Sequence, residues 1–317
     1  MRVKLVALLL CIGLSAQAQE FSHNKTSVPV EDKSTQAVIT LPQGEGPFPA
    51  LVIIAGSGMT DYDGNSVGLP GKNNSLKLLA EGLAKQGYAS IRYNKRIFIG
   101  FKEDELTLDD FVTDAISAYD LLVQDERISK IGFAGHSQGS LVGMLAAQKR
   151  EAAFYISIAG PGQDFADIIS KQLKANPNNP PIVIQEAERI MKSLKEGKSA
   201  ENVPPYLNSL FRPSVQGFIG SWMKYDPKEE IAKLTMPVMI INGGRDIQVG
   251  LENVEPLREA VKAKVVVLTL DEMNHVLKDA PEDRQGNIAT YSDESLPLSI
   301  GLIAGIKAFL TVNLKNE

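Results

Sequence analysis

Residues Ile131 to Ala147 read IGFAGHSQGSLVGMLAA. A short apolar strand, IGFA, runs into Gly135-His136-Ser137-Gln138-Gly139, and a helix continues from Leu141 to Ala147. The bare pattern G-x-S-x-G says little. Its setting says more: a sharp strand-to-helix turn lifts the Ser137 side chain above a sheet edge, and the flanking glycines let the backbone segments approach closely. The helix start also directs partial positive charge at the serine.

The surrounding sequence supplies more strands of the same kind. Ala50–Ala55 (ALVIIA) and Phe154–Ala159 (FYISIA) are continuous apolar runs, as expected of strands covered on both faces. Thr35–Leu41, Tyr88–Tyr93, Val238–Ile241 and Val265–Leu270 read as further strands. Helical spacing is seen over Leu76–Gln86, Leu108–Val123, Glu252–Lys262 and Ser299–Leu310. Strands alternating with helices predict an α/β fold with a mostly parallel, doubly wound sheet. The stretch at about 163–234 breaks the alternation. With its Asn/Pro cluster, Pro204-Pro205 and the single Trp222, it predicts a mostly helical cap inserted between two strands.

A serine hydroxyl needs a base to become a nucleophile. Three histidines are available. His23 lies in a polar N-terminal stretch, and His136 stands beside the serine with its side chain directed away. His275, just past the strand VVVLTL, is left as the candidate base. Loops at the C-terminal ends of parallel strands are where catalytic groups collect. The base needs a carboxylate to hold its tautomer. Asp246, after VMIIN, fills that role better than Asp271 or Glu272, which crowd His275 at a strand end. Two N–H donors would hold an oxyanion: the amide of Gln138 and, from the loop after ALVIIA, that of Ser57, with Gly58 as alternative. Phe211, Phe218, Trp222 and Met223 are candidates for a substrate pocket under the cap. Asp61, Asp63 and Asn65 read as Asx turns, because the spacing does not suit a calcium loop. Lys95-Arg96 reads as a solvated pair, with binding of a substrate carboxylate as the alternative.

The N-terminus MRVKLVALLLCIGLSAQAQE has a basic start, ten apolar residues and small residues before a cut after Ala18. This is the layout of a signal peptide covering residues 1–18, ahead of one domain over 19–317. Export to the periplasm or beyond the cell follows. Cleavage removes Arg2, Lys4 and Cys11, taking the formal charge from −5 to −7 and leaving no cysteine. An acidic chain argues against nucleic acid as a partner. No second stretch is long enough to enter a membrane after the leader is removed. Three histidines and one cysteine leave little for a metal site, so no metal and no cofactor is expected.

The order Ser137, Asp246, His275, together with GSGMTDYDGN (56–65), IRYNKR (91–96), GHSQG (135–139), MKYDP (223–227), GGRDIQV (243–249) and MNH (273–275), resembles secreted bacterial serine esterases of the α/β-hydrolase superfamily, in the group with dienelactone-hydrolase-like domains. The resemblance runs from about Thr35 to Leu310. It departs at Asn94 and Ile97, where similar chains carry Asp and Gly. It implies a carboxylic ester hydrolase acting on small or medium acyl groups through an acyl-enzyme. The alternatives are a peptidase, an amidase or a thioesterase on the same fold, and a non-catalytic binding protein on that scaffold.

Overall fold

The computed structural model describes residues 20–68 and 70–314; residues 1–18, read as a leader, lie outside them. Eight strands form one sheet: β1 (Phe21–Val30), β2 (Lys33–Pro42), β3 (Phe48–Ile54), β4 (Ala89–Tyr93), β5 (Ile128–His136), β6 (Tyr155–Ile158), β7 (Val238–Gly243) and β8 (Val265–Leu270). Their order is β1-β2-β4-β3-β5-β6-β7-β8. The pairs β1/β2 and β2/β4 are antiparallel, and every later pair is parallel.

Alternation along β3 shows why both faces are covered. Ala50, Val52 and Ile54 belong to one buried cluster, and Leu51, Ile53 and Ala55 to another on the opposite face. The first face is packed by helices α2 (Leu108–Val123) and α3 (Gln138–Ala147), through Val112, Ala115, Leu141 and Leu145. The second is packed by α1 (Ser75–Ala84), through Leu76, Leu79 and Leu83, and by the C-terminal helix Leu302–Leu314. Helix α2 starts on a capping box: the Thr107 hydroxyl accepts from the Asp110 amide, and the Asp110 carboxylate accepts from the Thr107 amide at 2.7 Å.

Between β6 and β7 come α4 (Phe165–Ala175), α5 (Pro181–Lys195), α6 (Asn208–Phe211), α7 (Pro213–Trp222) and α8 (Pro227–Ile231). Much of this segment has a core of its own, with Ala187, Ile190, Met191, Leu207, Phe211 and Ile219 buried together. Its last helix returns to the body, where Ile231 joins the first sheet core.

One strand departs from the sequence reading. The polar stretch ahead of Thr35, to which the sequence assigns no element, is a strand: Phe21–Val30 pairs with β2 over its whole length through the turn at Glu31-Asp32. Strand β1 is an edge strand with most side chains in water, and only Val28 and Val30 reach the core, so it carries no apolar run.

Candidate active site

The turn after β5 is compressed. A methyl group on Gly135 would stand 2.1 Å from the Gly139 carbonyl oxygen, and one on Gly139 would stand 2.4 Å from that of Ile54. Only hydrogen fits at either place. Between them Ser137 takes φ 55° and ψ −122°, a conformation most side chains avoid. Its amide donates to the Ile158 carbonyl at 2.9 Å, and its carbonyl accepts from the Ser140 amide at 2.9 Å. The strained turn is thus fixed from both sides, at the first residue before α3.

Asp246 follows β7 and His275 follows β8, neighbouring parallel strands with Ile241 paired to Leu268. The structure brings the two side chains together: Nδ1 of His275 donates to Oδ2 of Asp246 at 2.7 Å. Oδ1 of Asp246 accepts from the amides of Gln248 and Val249, both at 2.8 Å. The carboxylate therefore holds its own turn and the imidazole together. Both side chains are almost wholly removed from solvent. The loop before His275 is pinned by Asn274, whose Oδ1 accepts from the Val276 amide at 3.1 Å and whose Nδ2 donates to Thr290 Oγ1 at 2.7 Å.

His136, next to the serine, reaches His275. Its Nε2 donates to the His275 carbonyl at 2.7 Å, and the two rings lie 4.8 Å apart. A carbonyl can only accept, so Nε2 of His136 carries a proton. Burial, reinforced by the neighbouring His275, pushes His136 down to about 3 and keeps it neutral.

Ser137 opens onto a cavity of about 650 Å³. Ser57, Gly58, Lys95 and Gln138 line it beside the serine. Among the described residues, neither the Ser57 nor the Gln138 amide donates a hydrogen bond within the protein. The far wall comes from the helices between β6 and β7: Phe165, Ile169, Phe218, Ile219 and Trp222. Phe165 packs on Trp222 with ring centroids 4.7 Å apart. Across the opening, Glu103 accepts from Arg212 Nε at 3.0 Å and from the Ser214 hydroxyl at 3.1 Å, tying the inserted helices to the body. The Arg212 guanidinium holds the Glu103 carboxyl below the usual range.

Two pocket candidates lie elsewhere. Phe211 is fully buried in the core of the inserted helices, and Met223, one residue past the end of α7, packs against that same core rather than lining the cavity. The loop carboxylates follow the Asx reading. Asp61 accepts from the amides of Asp63 and Asn65, at 2.9 and 2.8 Å, and Asp63 pairs with Arg92. Among the described residues, no group of three His, Cys, Asp or Glu side chains is placed to hold a metal ion.

Lys95 and Arg96 correct the sequence reading outright. Both are buried, at 6% and 2% exposure, and neither is a solvated pair. Arg96 forks onto Asp114 and also reaches Asp110 and Glu31. Lys95 Nζ donates to the carbonyls of Gly56 and Gly58 and to Gln138 Oε1. Burial lowers the Lys95 ammonium to about 7. The one available signal was position, since both cations directly follow a strand that is buried from end to end.

No protein-family model matches the chain. Esterase EstD of Thermotoga maritima is 30% identical over 249 residues, which is 75% of this chain. The chain spans 57% of that relative's length. Est1E from Butyrivibrio proteoclasticus superposes with a TM-score of 0.58 at 19% identity, covering 92% of this chain and 99% of its own. A dienelactone hydrolase from Anabaena variabilis gives 0.54 at 13% identity, covering 93% and 99%. The chain has the α/β-hydrolase fold. In an α/β-hydrolase the strained strand-to-helix turn exposes the nucleophile at the top of the sheet, and an acid and a histidine follow it in sequence. Here Ser137, Asp246 and His275 occupy loops after β5, β7 and β8 of that sheet. Among the described residues, no helix is long and apolar enough to cross a membrane.

Proposed function

We propose that this protein is a serine carboxylesterase that hydrolyses small or medium acyl esters through an acyl-enzyme. One observation carries the reading: Ser137, forced into a strained turn, opens onto a walled cavity, and His275, packed on the adjacent His136, is bonded to buried Asp246. The esterase name of the Thermotoga maritima relative favours an ester over other acyl substrates.

The chemistry follows from the residues. Ser137 Oγ attacks the ester carbonyl as His275 takes its proton, and the Asp246 carboxylate stabilises the resulting imidazolium. The amides of Ser57 and Gln138 receive the oxyanion. Collapse of the tetrahedral adduct breaks the bond to the leaving alcohol, which takes the proton from His275. Water, deprotonated by His275, then attacks the acyl-enzyme; the acid departs and Ser137 regains its proton. Phe218 and Trp222 are the candidate acyl contacts. A cavity of about 650 Å³ accommodates a medium chain. The signal-peptide pattern of residues 1–18 supports export of the mature protein to the periplasm or beyond the cell.

The test is turnover of p-nitrophenyl esters from acetate to decanoate, with Ser137→Ala alongside. Native turnover with a loss of at least about 10³-fold in the folded variant is expected. A folded native chain that is labelled by a fluorophosphonate but hydrolyses no ester would be read as a peptidase, amidase or thioesterase. No turnover and no labelling would make it a binding protein on a hydrolase scaffold.

A further inference from the structure

Lys95 has no place in the acyl-transfer steps, yet it is the most fully engaged cation at the cavity. It follows β4, on the far side of β3 from the nucleophile strand. Its Nζ meets three oxygen acceptors: the carbonyl of Gly56, that of Gly58 at 3.3 Å, and Oε1 of Gln138 at 3.1 Å. An ammonium has three N–H groups, so every donor has a partner. The Phe111 ring, 5.1 Å from Nζ, closes another side.

The identity of those acceptors matters. The Gly56 carbonyl and the Ser57 amide belong to one peptide unit. A trans peptide is planar, with its C=O and N–H pointing in opposite directions. Holding the Gly56 oxygen toward Lys95 therefore turns the Ser57 N–H away from it. The loop lies directly on the nucleophile: a methyl group on Gly56 would stand 3.1 Å from Ser137 Cβ. The third acceptor belongs to Gln138, whose own amide starts α3 beside the serine. One side chain thus grips both segments that carry the two candidate oxyanion donors.

We infer that Lys95 is a positioning residue for the oxyanion site: it clamps the Gly56–Gly58 loop to Gln138 and sets the face that the Ser57 amide presents to the reacting carbonyl. This rests on the serine hydrolase reading. The hydrogen bonds of Lys95 go to the loop and to Gln138, not to the nucleophile, so its effect on the reacting carbonyl passes through the Gly56–Ser57 peptide. With the clamp released, the Gly56–Ser57 peptide is free to rotate and the donor is misaimed. Substrate binding in the apolar part of the cavity is unaffected, because Lys95 sits at the serine end. The deficit therefore falls on the transition state.

Lys95→Met keeps the length of the side chain and removes its three donors. For p-nitrophenyl butyrate, kcat is expected to fall about 10²-fold, as when an oxyanion donor is lost, with KM changed less than about threefold. The inhibition constant of an alkyl trifluoromethyl ketone, whose adduct with the serine carries the oxyanion, should rise by the same factor as kcat/KM falls. A folded Lys95→Met enzyme with kcat within about threefold of native overturns the clamp. So does a loss confined to KM, or a fall in kcat without weaker ketone binding. If the methionine variant lacks a cooperative thermal transition, Lys95→Gln, whose nitrogen is one bond shorter in reach and has two N–H groups for three acceptors, is measured under the same criteria; a loss of kcat smaller than about threefold again overturns the clamp. A native chain that neither turns over the ester nor is labelled at Ser137 overturns the clamp and the esterase reading together. Native turnover with an unimpaired variant overturns the clamp alone.

Discussion

Both oxygens of the Asp246 carboxylate are committed, and the two commitments are chemically different. Oδ1 accepts two backbone amides, and Oδ2 accepts the imidazole. Replacing Asp246 by Asn has a defined consequence. The amide oxygen must stay with the Gln248 and Val249 N–H groups, so the new NH₂ faces Nδ1 of His275. That nitrogen must then be unprotonated, and the ring proton moves to Nε2, where it blocks removal of the serine proton. Asp246→Asn should therefore lower kcat by a factor on the order of 10⁴ while the fold persists. Steady-state kinetics on p-nitrophenyl acetate, with a melting curve on the same sample, check this. A variant retaining a tenth of native kcat would remove Asp246 from the proposed triad. His136 shows the same economy of placement, since it adds a second hold on His275 from the residue next to the nucleophile.

Helix α7 is the element that shapes the cavity. Phe218 and Trp222, four residues apart, stand on one face of it and both line the cavity, while Ile219 also belongs to the core behind. Trp222→Ala should enlarge the acyl end without touching Ser137. The ratio of kcat/KM for decanoate over acetate esters is expected to rise about tenfold. An unchanged chain-length profile would mean that the acyl group lies elsewhere. The contrast between Trp222 and Met223 marks what a sequence can and cannot show. Helical spacing predicts the Phe218–Trp222 face, but whether the next residue lines the cavity depends on where α7 stops. The same limit applies to strands. β3, β6 and β7 announce themselves because burial on both faces demands unbroken apolar runs, whereas β1 does not, because it buries two side chains in ten residues. The buried cations were illegible for a related reason. The acceptors of Lys95 come from the loop after β3 and from α3, and those of Arg96 from α2 and the turn after β1. Charge alone signals solvent; only the assembled sheet edge brings such partners together. The Ser137 turn was legible because its glycines, strand and helix are contiguous in sequence.

The whole molecule stores a pH dependence in that same sheet edge. His136 is enclosed by His275, Asp246, Lys95 and the Gly56 backbone. Its folded value is depressed to about 3, against 6.5 for a free histidine. Over the interval between those values the unfolded chain takes up a proton that the folded chain refuses. Stability from this source is fully present above pH 6.5 and declines as pH falls toward 3. The paired carboxylates Glu103, Asp125 and Asp164, also depressed, add their own losses only at lower pH, in the carboxylate range. Lys95, lowered to about 7, and Asp114, raised by burial, titrate close to this range, so between about pH 6.5 and 5 the His136 contribution is the difference between the native chain and a variant without that histidine. There, that difference in unfolding free energy should shrink with a slope approaching one proton, on the order of 1 kcal/mol per pH unit. His136→Gln can still donate to the His275 carbonyl but cannot titrate. It should start somewhat less stable at neutral pH, from imperfect packing, and lose that part of the slope. Urea midpoints at pH 7, 6 and 5, with unchanged m-values, decide the matter. Parallel declines in native and variant would place the acid sensitivity in another group. A variant line shallower than the native one would show that the histidine beside the nucleophile holds His275 at a cost in acid tolerance.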